Sequence, residues 1–193
     1  MNDADTLPPR ILVDAHGSAV EIAFDLHRGR TYRVVASARG QRAGIIRSLE
    51  AAADTAVVRP DGGLISNLRV WENLALPLEY HDLPGSETIE SRALEVFLDT
   101  GLTADEAARI TGLLPDELTR YERCLTSFVR GMLIEPEILV FNAVFDGLTH
   151  DETVRVARFH ALFRHRLPFR TTVFLGFDHA LPDGIRPDAV FRI

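Results

Sequence analysis

The sequence predicts an α/β fold, a mostly parallel sheet with helices on both faces. Three observations predict it. Short apolar runs alternate with longer stretches whose apolar residues recur at helical spacing, the pattern of strands joined by crossover helices. One run, ILVF at residues 138–141, is apolar at every position, as in a strand buried on both sides of a parallel sheet. Residues 32–36 (YRVVA) lead into a polar, glycine-bearing stretch and then a helix, a strand–loop–helix layout that phosphate-binding loops use.

The elements follow in order. Residues 1–10 read as a flexible leader, because Pro8-Pro9 disfavours helix. Apolar runs at 11–13 and 19–24 flank a glycine-containing turn and read as antiparallel strands. His27-Arg28-Gly29-Arg30 is a second turn, followed by the strand at 32–36, a loop over 37–44 and a helix over 45–53. Residues 55–58 form another strand, closed by Arg59-Pro60-Asp61-Gly62-Gly63. Pro77 and Pro84-Gly85 are expected to break the region that follows. Ser86 suits the N-cap of a helix that stops at Gly101. Thr103 and Glu106 have the spacing of a capping box. A helix beginning at Leu114-Pro115-Asp116 runs to about residue 132. Beyond a turn at 135–137 come the strand 138–141, a helix over 151–167, a strand over 171–175 and a last strand over 189–193.

Bulk properties narrow the function classes. The 193 residues suit one domain able to bury a full core, and 46% hydrophobic with 25% charged residues is ordinary for a globular chain. A net charge of −7 argues against a general nucleic-acid binder. Arginines nevertheless cluster at 39–47 and 155–170. The lone Cys124 can form no intrachain disulfide and no zinc site unaided, which suits a reducing cytosol. No apolar run is long enough to span a bilayer, and the N-terminus lacks the apolar stretch of a signal peptide. Membrane association is therefore expected only through a partner.

Five stretches, taken in order, resemble the ATP-binding subunit of an ABC transporter, with the closest likeness to bacterial importers that maintain outer-membrane lipid asymmetry. FDLHRGRTYRVVA (24–36) is similar to the strands before the P-loop, GGLISNLRVWENLALP (62–77) to the segment after the Q-loop, and residues 114–136 to the signature helix and its exit turn. ILVFNAVFDGLT (138–149) is similar to the Walker B strand and D-loop, and residues 172–179 to the switch-histidine strand. The resemblance implies a P-loop NTPase-like (ABC-ATPase-like) domain over 1–193, with a helical subdomain inserted at about 62–130 and a shortened antiparallel part. It also implies a cytoplasmic chain, peripheral at the inner membrane, whose partners are a membrane permease, another ABC ATPase subunit or a second copy.

Against that pattern the chemistry is depleted. A phosphate-cradling loop needs glycines, a lysine on the phosphates and a hydroxyl on magnesium. Residues 36–44 read A-S-A-R-G-Q-R-A-G, with Arg42 for the lysine and Ala43 for the hydroxyl residue. Arg39, Gly40, Arg42 and Gly44 are the residues left that could hold an anion or nucleotide, at a helix N-terminus that favours negative charge. The Asp-Glu pair that orients magnesium and polarises water becomes Asn142-Ala143. The signature becomes Leu118-Thr119-Arg120-Tyr121-Glu122, with Arg and Tyr where two glycines permit close approach. The Q-loop glutamine falls at Pro60 and the switch histidine at Asp178, with His179 one place late. His16 or His27 is the nearest substitute for the aromatic that stacks on adenine. No catalytic residue and no metal ligand is assigned, and no cofactor is expected, with ATP and magnesium the pair to test.

Trp71, Glu72 and Asn73 fall where the family docks a permease, and Asp146, in the D-loop-like stretch, suits a dimer contact. His160 and His165, five apart on a helix, face different ways and do not pair on a metal. Asp178-His179 lacks the nucleophile elbow a hydrolase triad would need. Three readings follow: a non-catalytic transporter subunit acting by protein contact, a divergent active ATPase, and a module that binds another anion in the remodelled loop.

Overall fold

The computed structural model describes residues 6–7, 11–15, 18–22, 26–79 and 86–193. The strands are β1 (Thr6–Leu7), β2 (Ile11–Ala15), β3 (Ser18–Ile22), β4 (Leu26–His27), β5 (Thr31–Val35), β6 (Thr55–Val58), β7 (Ile138–Asn142), β8 (Thr171–Gly176) and β9 (Ala189–Arg192). The helices are α1 (Arg39–Ala52), α2 (Val70–Glu79), α3 (Ser86–Asp99), α4 (Ala104–Gly112), α5 (Arg120–Leu133) and α6 (His150–Arg166).

The chain forms two compact units. The first comprises Met1–Val57, Pro136–Ala143 and Arg164–Ile193. It holds a five-stranded sheet in the order β6-β7-β8-β5-β9, in which β5 runs parallel to β8 and β9, and β7 parallel to β8. β7 reads as a continuous apolar run because both of its faces are covered, as are most positions of β5 and β8, whereas β9 alternates partly buried and exposed residues. Ile45, Ile46 and Leu49 of α1 pack on Tyr32, Val34, Ile138, Val140, Val173 and Leu175. Full burial of each such aliphatic side chain stabilises by about 1.5–3 kcal/mol. Elsewhere in the sheet Phe141 stacks on Phe174, centroids 4.9 Å apart, one above the other on neighbouring strands. β2 and β3 pair antiparallel as expected, with Val13 opposite Val20; their turn at 16–17, with His16, lies outside the described residues.

The second unit comprises Val58–Glu135 and Val144–Phe163. It is helical. Phe128 of α5 stacks on Phe159 of α6 with centroids 4.6 Å apart, and Leu74, Phe97, Ile110 and Leu125 are buried with them. The predicted capping box at α4 is present: Thr103 Oγ1 accepts the Glu106 N–H at 3.2 Å, and Glu106 Oε2 accepts the Thr103 N–H at 2.8 Å.

Several expectations are corrected. Of the leader 1–10 only Thr6–Leu7 is described, and it pairs antiparallel with β4. The stretch 37–44 is not a loop, because α1 starts at Arg39, six residues earlier than expected. Pro77 does not break the chain but sits inside α2, where burial of Leu74, Ala75 and Leu78 holds the helix together despite the missing N–H. Pro84-Gly85 lies outside the described residues, and α3 is described from Ser86 onward. The helix expected from residue 114 starts at Arg120, capped by Thr119; before it, the Glu117 N–H closes a turn on the Leu114 carbonyl at 3.1 Å.

Candidate functional site

In the first unit only Ala36, Ser37 and Ala38 connect β5 to α1. The buried Ala36 anchors this turn by donating its N–H to the Gly176 carbonyl at 2.9 Å. Ala38 is the N-cap but has no side-chain oxygen to offer the helix. Gln41 takes over part of that task, its Oε1 accepting the Ala38 N–H at 3.2 Å.

Arg42 then turns back over the connection. Its Nη1 donates to the Ala36 and Ser37 carbonyls, both at 2.9 Å, and its guanidinium carbon lies 4.7 Å from the Phe177 ring centroid. The four candidate anion-binding residues therefore do not form a loop. Arg39 is exposed on the first turn of α1, Gly40 follows it, Gly44 is buried within the helix, and the charge of Arg42 is directed at the chain's own carbonyls. In a helical turn the N–H groups point along the axis instead of converging on one point beside it.

At the end of β7, Asn142 is followed by Ala143 in the left-handed region at φ 50°, its N–H donating to the Leu175 carbonyl at 2.7 Å. The Asn142 Oδ1 is buried and has no hydrogen-bond partner among the described residues. Beyond β8, Arg33 donates to the Phe177 carbonyl at 3.2 Å and to the His179 carbonyl. Asp178 lies between two cations, 3.9 Å from Arg33 and 3.4 Å from Arg192. The side-chain oxygen donors at these strand ends are thus the exposed Ser37 hydroxyl, one neutral amide and one carboxylate engaged by arginines, with alanine at 43 and 143. A magnesium–nucleotide needs a free carboxylate as well as a hydroxyl on the metal, and this set offers no free carboxylate.

In the second unit Leu118, Tyr121 and Glu122 of the signature-like stretch are buried, while Thr119 and Arg120 are exposed. Thr119 and Glu122 form a capping box at the start of α5, a second one that the spacing alone could have revealed. Tyr121 is buried beneath Arg155, whose guanidinium carbon lies 3.9 Å from the ring centroid. Glu122 pairs with Arg109. Arg120 lies against Gly147, at φ 70°, so that a Cβ there would meet the Arg120 Cζ at 3.6 Å. Asp146, just before it, is partly exposed.

Asn73 is only 2% exposed and works as an internal brace. Its Nδ2 donates to the Ile65, Leu68 and Arg69 carbonyls at 3.1, 3.0 and 3.1 Å, and its Oδ1 accepts the Ile65 N–H at 2.7 Å. Glu72 accepts the Arg69 N–H at 2.7 Å. These bonds fix the first turn of α2 and so the placement of Trp71, which is half-buried. Trp71, Leu94, Phe97 and Ala108 line a groove of about 460 Å³ between α2, α3 and α4, to which Glu90 and Asp105 also contribute. Sequence reasoning singled out Trp71 but not the groove, because α3 and α4 supply its other walls from residues distant in the chain.

Among the described residues no group of three or more potential metal ligands is found, and no helix is long and apolar enough to cross a membrane. No family model matches the chain, and no curated protein does. Solved structures do. CbiO1 from Clostridium perfringens, part of the ABC transporter complex CbiONQ, matches with a TM-score of 0.62 at 14% identity, over 90% of this chain and 79% of that one. The ATP-binding cassette MJ0796, a dimer in a post-hydrolysis state with ADP and phosphate, matches with a TM-score of 0.65 at 14% identity, over 90% and 88%. The fold is therefore that of the ATP-binding subunits of ABC transporters.

Proposed function

We propose, from a fold shared with ABC-transporter ATP-binding subunits, that this chain serves a membrane transporter as a non-catalytic partner, acting by protein contact at its cytoplasmic face. The observation that carries this reading is the placement of Arg42. The guanidinium at the lysine position is spent on the carbonyls of a three-residue connection, so the place where a nucleotide's phosphates would sit is stabilised without one. Loss of the hydroxyl at 43 and of both acidic residues at 142–143 points the same way.

The groove beside Trp71 supplies the contact. A short cytoplasmic helix of a permease is an amphipathic element of the size such grooves take. Permease loops on that side carry an excess of Lys and Arg, which Glu90 and Asp105 complement. Residues 62–130 would then be the helical subdomain that meets the permease, and Asp146 a contact to another ATPase-like subunit. The sequence likeness to lipid-trafficking importers makes a phospholipid transporter the first to examine.

Calorimetry of the purified chain with ATP, with and without magnesium, tests the reading. It requires no binding heat in either condition, together with co-purification of a permease that Trp71→Ala weakens. Magnesium-dependent ATP binding with turnover would overturn it and favour a divergent ATPase. Binding of ATP or phosphate without turnover would instead make the chain an anion sensor centred on Arg39 and Arg42.

A further inference from the structure

In the first unit, the end of the sheet where its parallel strands begin is laced together by its turns. The Thr172 N–H donates to the Arg30 carbonyl and the Thr171 N–H to the Glu137 carbonyl, both at 2.9 Å. The turn at 167–170 is closed by the Arg170 N–H on the Leu167 carbonyl at 3.1 Å. Arg164 clamps it from behind, one guanidinium nitrogen donating to the Gly29 carbonyl at 2.6 Å and to the Arg170 carbonyl at 3.2 Å. Gly29, at φ 73°, lies so close that a Cβ would come within 3.3 Å of the Pro168 oxygen.

Phe169 projects from this held turn and is 81% exposed, the most exposed large hydrophobic side chain among the described residues. Arg28, Arg30, Arg164 and Arg170 lie about the same turns, against the carboxylates of Glu137 and Asp188, with the exposed Asp54 beside Glu137, its carbonyl accepting the Ile138 N–H at 3.0 Å. Arg28 and Arg170 share Glu137, at 2.8 and 3.4 Å, and Arg30 takes Asp188 at 2.8 Å. A chain with a net charge of −7 thus carries a local surplus of guanidinium groups around one projecting aromatic ring.

We infer that this edge docks on an anionic lipid surface, Phe169 entering the headgroup–acyl boundary while Arg28, Arg30 and Arg170 exchange Glu137 and Asp188 for lipid phosphates. An aromatic beside basic side chains is the composition that holds a protein at such an interface. A protein partner would be met by a packed cluster with a ring of neighbouring contacts, whereas among the described residues Phe169 is the one large hydrophobic side chain exposed on these turns. The inference is independent of whether the chain binds nucleotide or a permease.

Vesicle sedimentation of the full chain tests it. Vesicles of phosphatidylcholine with phosphatidylglycerol should retain the protein, phosphatidylcholine alone should not, and added salt should release it. Phe169→Ser should weaken retention by on the order of tenfold while leaving the thermal midpoint unchanged, since the side chain is exposed. Phe169→Trp should gain a blue-shifted emission that brominated lipid quenches, measured against the emission of Trp71 in the unsubstituted chain. Failure of the unsubstituted chain to bind anionic vesicles overturns the inference. So does retention that Phe169→Ser leaves intact, or binding to polyglutamate without binding to vesicles.

Discussion

Arg42 and Phe177 stack, with the guanidinium carbon 4.7 Å from the ring centroid, and the same guanidinium bonds the carbonyls of Ala36 and Ser37. One side chain thereby ties the exit of β5, the start of α1 and the segment after β8. Arg42→Ala should destabilise the fold by about 1–3 kcal/mol, from the lost charged hydrogen bonds and ring contact. Urea unfolding would measure it. Arg42→Lys should recover only part, because an ammonium cannot bond two carbonyls and lie flat on a ring.

Asn73 is the brace of the second unit. Asn73→Ala strands the Ile65 N–H and the Leu68 carbonyl at a buried site, and leaves the Ile65 and Arg69 carbonyls with only the Leu68 and Asn73 N–H groups. A loss of about 2–4 kcal/mol is expected. Thermal unfolding checks the magnitude. A red shift of Trp71 emission in the folded variant would report that the first turn of α2 has loosened.

Glu122 makes stability depend on acid. Burial lifts its pKa, but the Arg109 guanidinium and the Thr119 N–H and hydroxyl outweigh burial and hold it below the ordinary carboxylate value. Protonation therefore costs the folded state. Its contribution is fully present above the ordinary carboxylate range and is lost as pH falls through the lowered value. Glu122→Gln should lower the urea midpoint at neutral pH and flatten its decline toward about pH 3. An unchanged slope would show that Arg109 and Glu122 do not act as an ion pair.

Cys124 is fully buried in α5, and burial pushes its thiol up to about 12. The thiolate, which is the reactive form, is therefore scarce in the native protein. Labelling by a thiol reagent at about pH 8 should proceed only through opening of the helical unit. Its rate should rise with added urea in step with loss of helix signal, whereas prompt labelling without urea would show that α5 is accessible in the native state.

Where local chemistry and tertiary packing agree, the sequence was legible. The all-apolar strand 138–141, the strand 171–175 and the Thr103–Glu106 box appear where their patterns place them. Errors arose where one signal had two meanings. The glycines and polar residues of 37–44 spell a loop, yet Gln41 caps Ala38 and burial of Ile45, Ile46 and Leu49 draws the helix back to Arg39. Pro77 spells a break, yet it costs α2 a single bond near its end. The helix of 120–133 was placed early because Leu114-Pro115-Asp116 mimics a start, while the true cap is Thr119. At the site, the missing hydroxyl and carboxylates could be read from the letters alone. The inward turn of Arg42, the paired state of Asp178 and the groove beside Trp71 could not, because each depends on residues far apart in the chain.

The brevity of the connection between β5 and α1 bears on how this chain could change over generations. Writing lysine at 42 and serine at 43 would restore letters without lengthening the turn, because the residues that would have to wrap a phosphate are already wound into helix. A nucleotide-wrapping loop at this place would demand that the first turn of α1 unwind while Ile45, Ile46 and Leu49 keep their seats on the sheet. A change of one side chain does not lengthen a backbone connection, so substitutions here tune the present turn far more readily than they convert it.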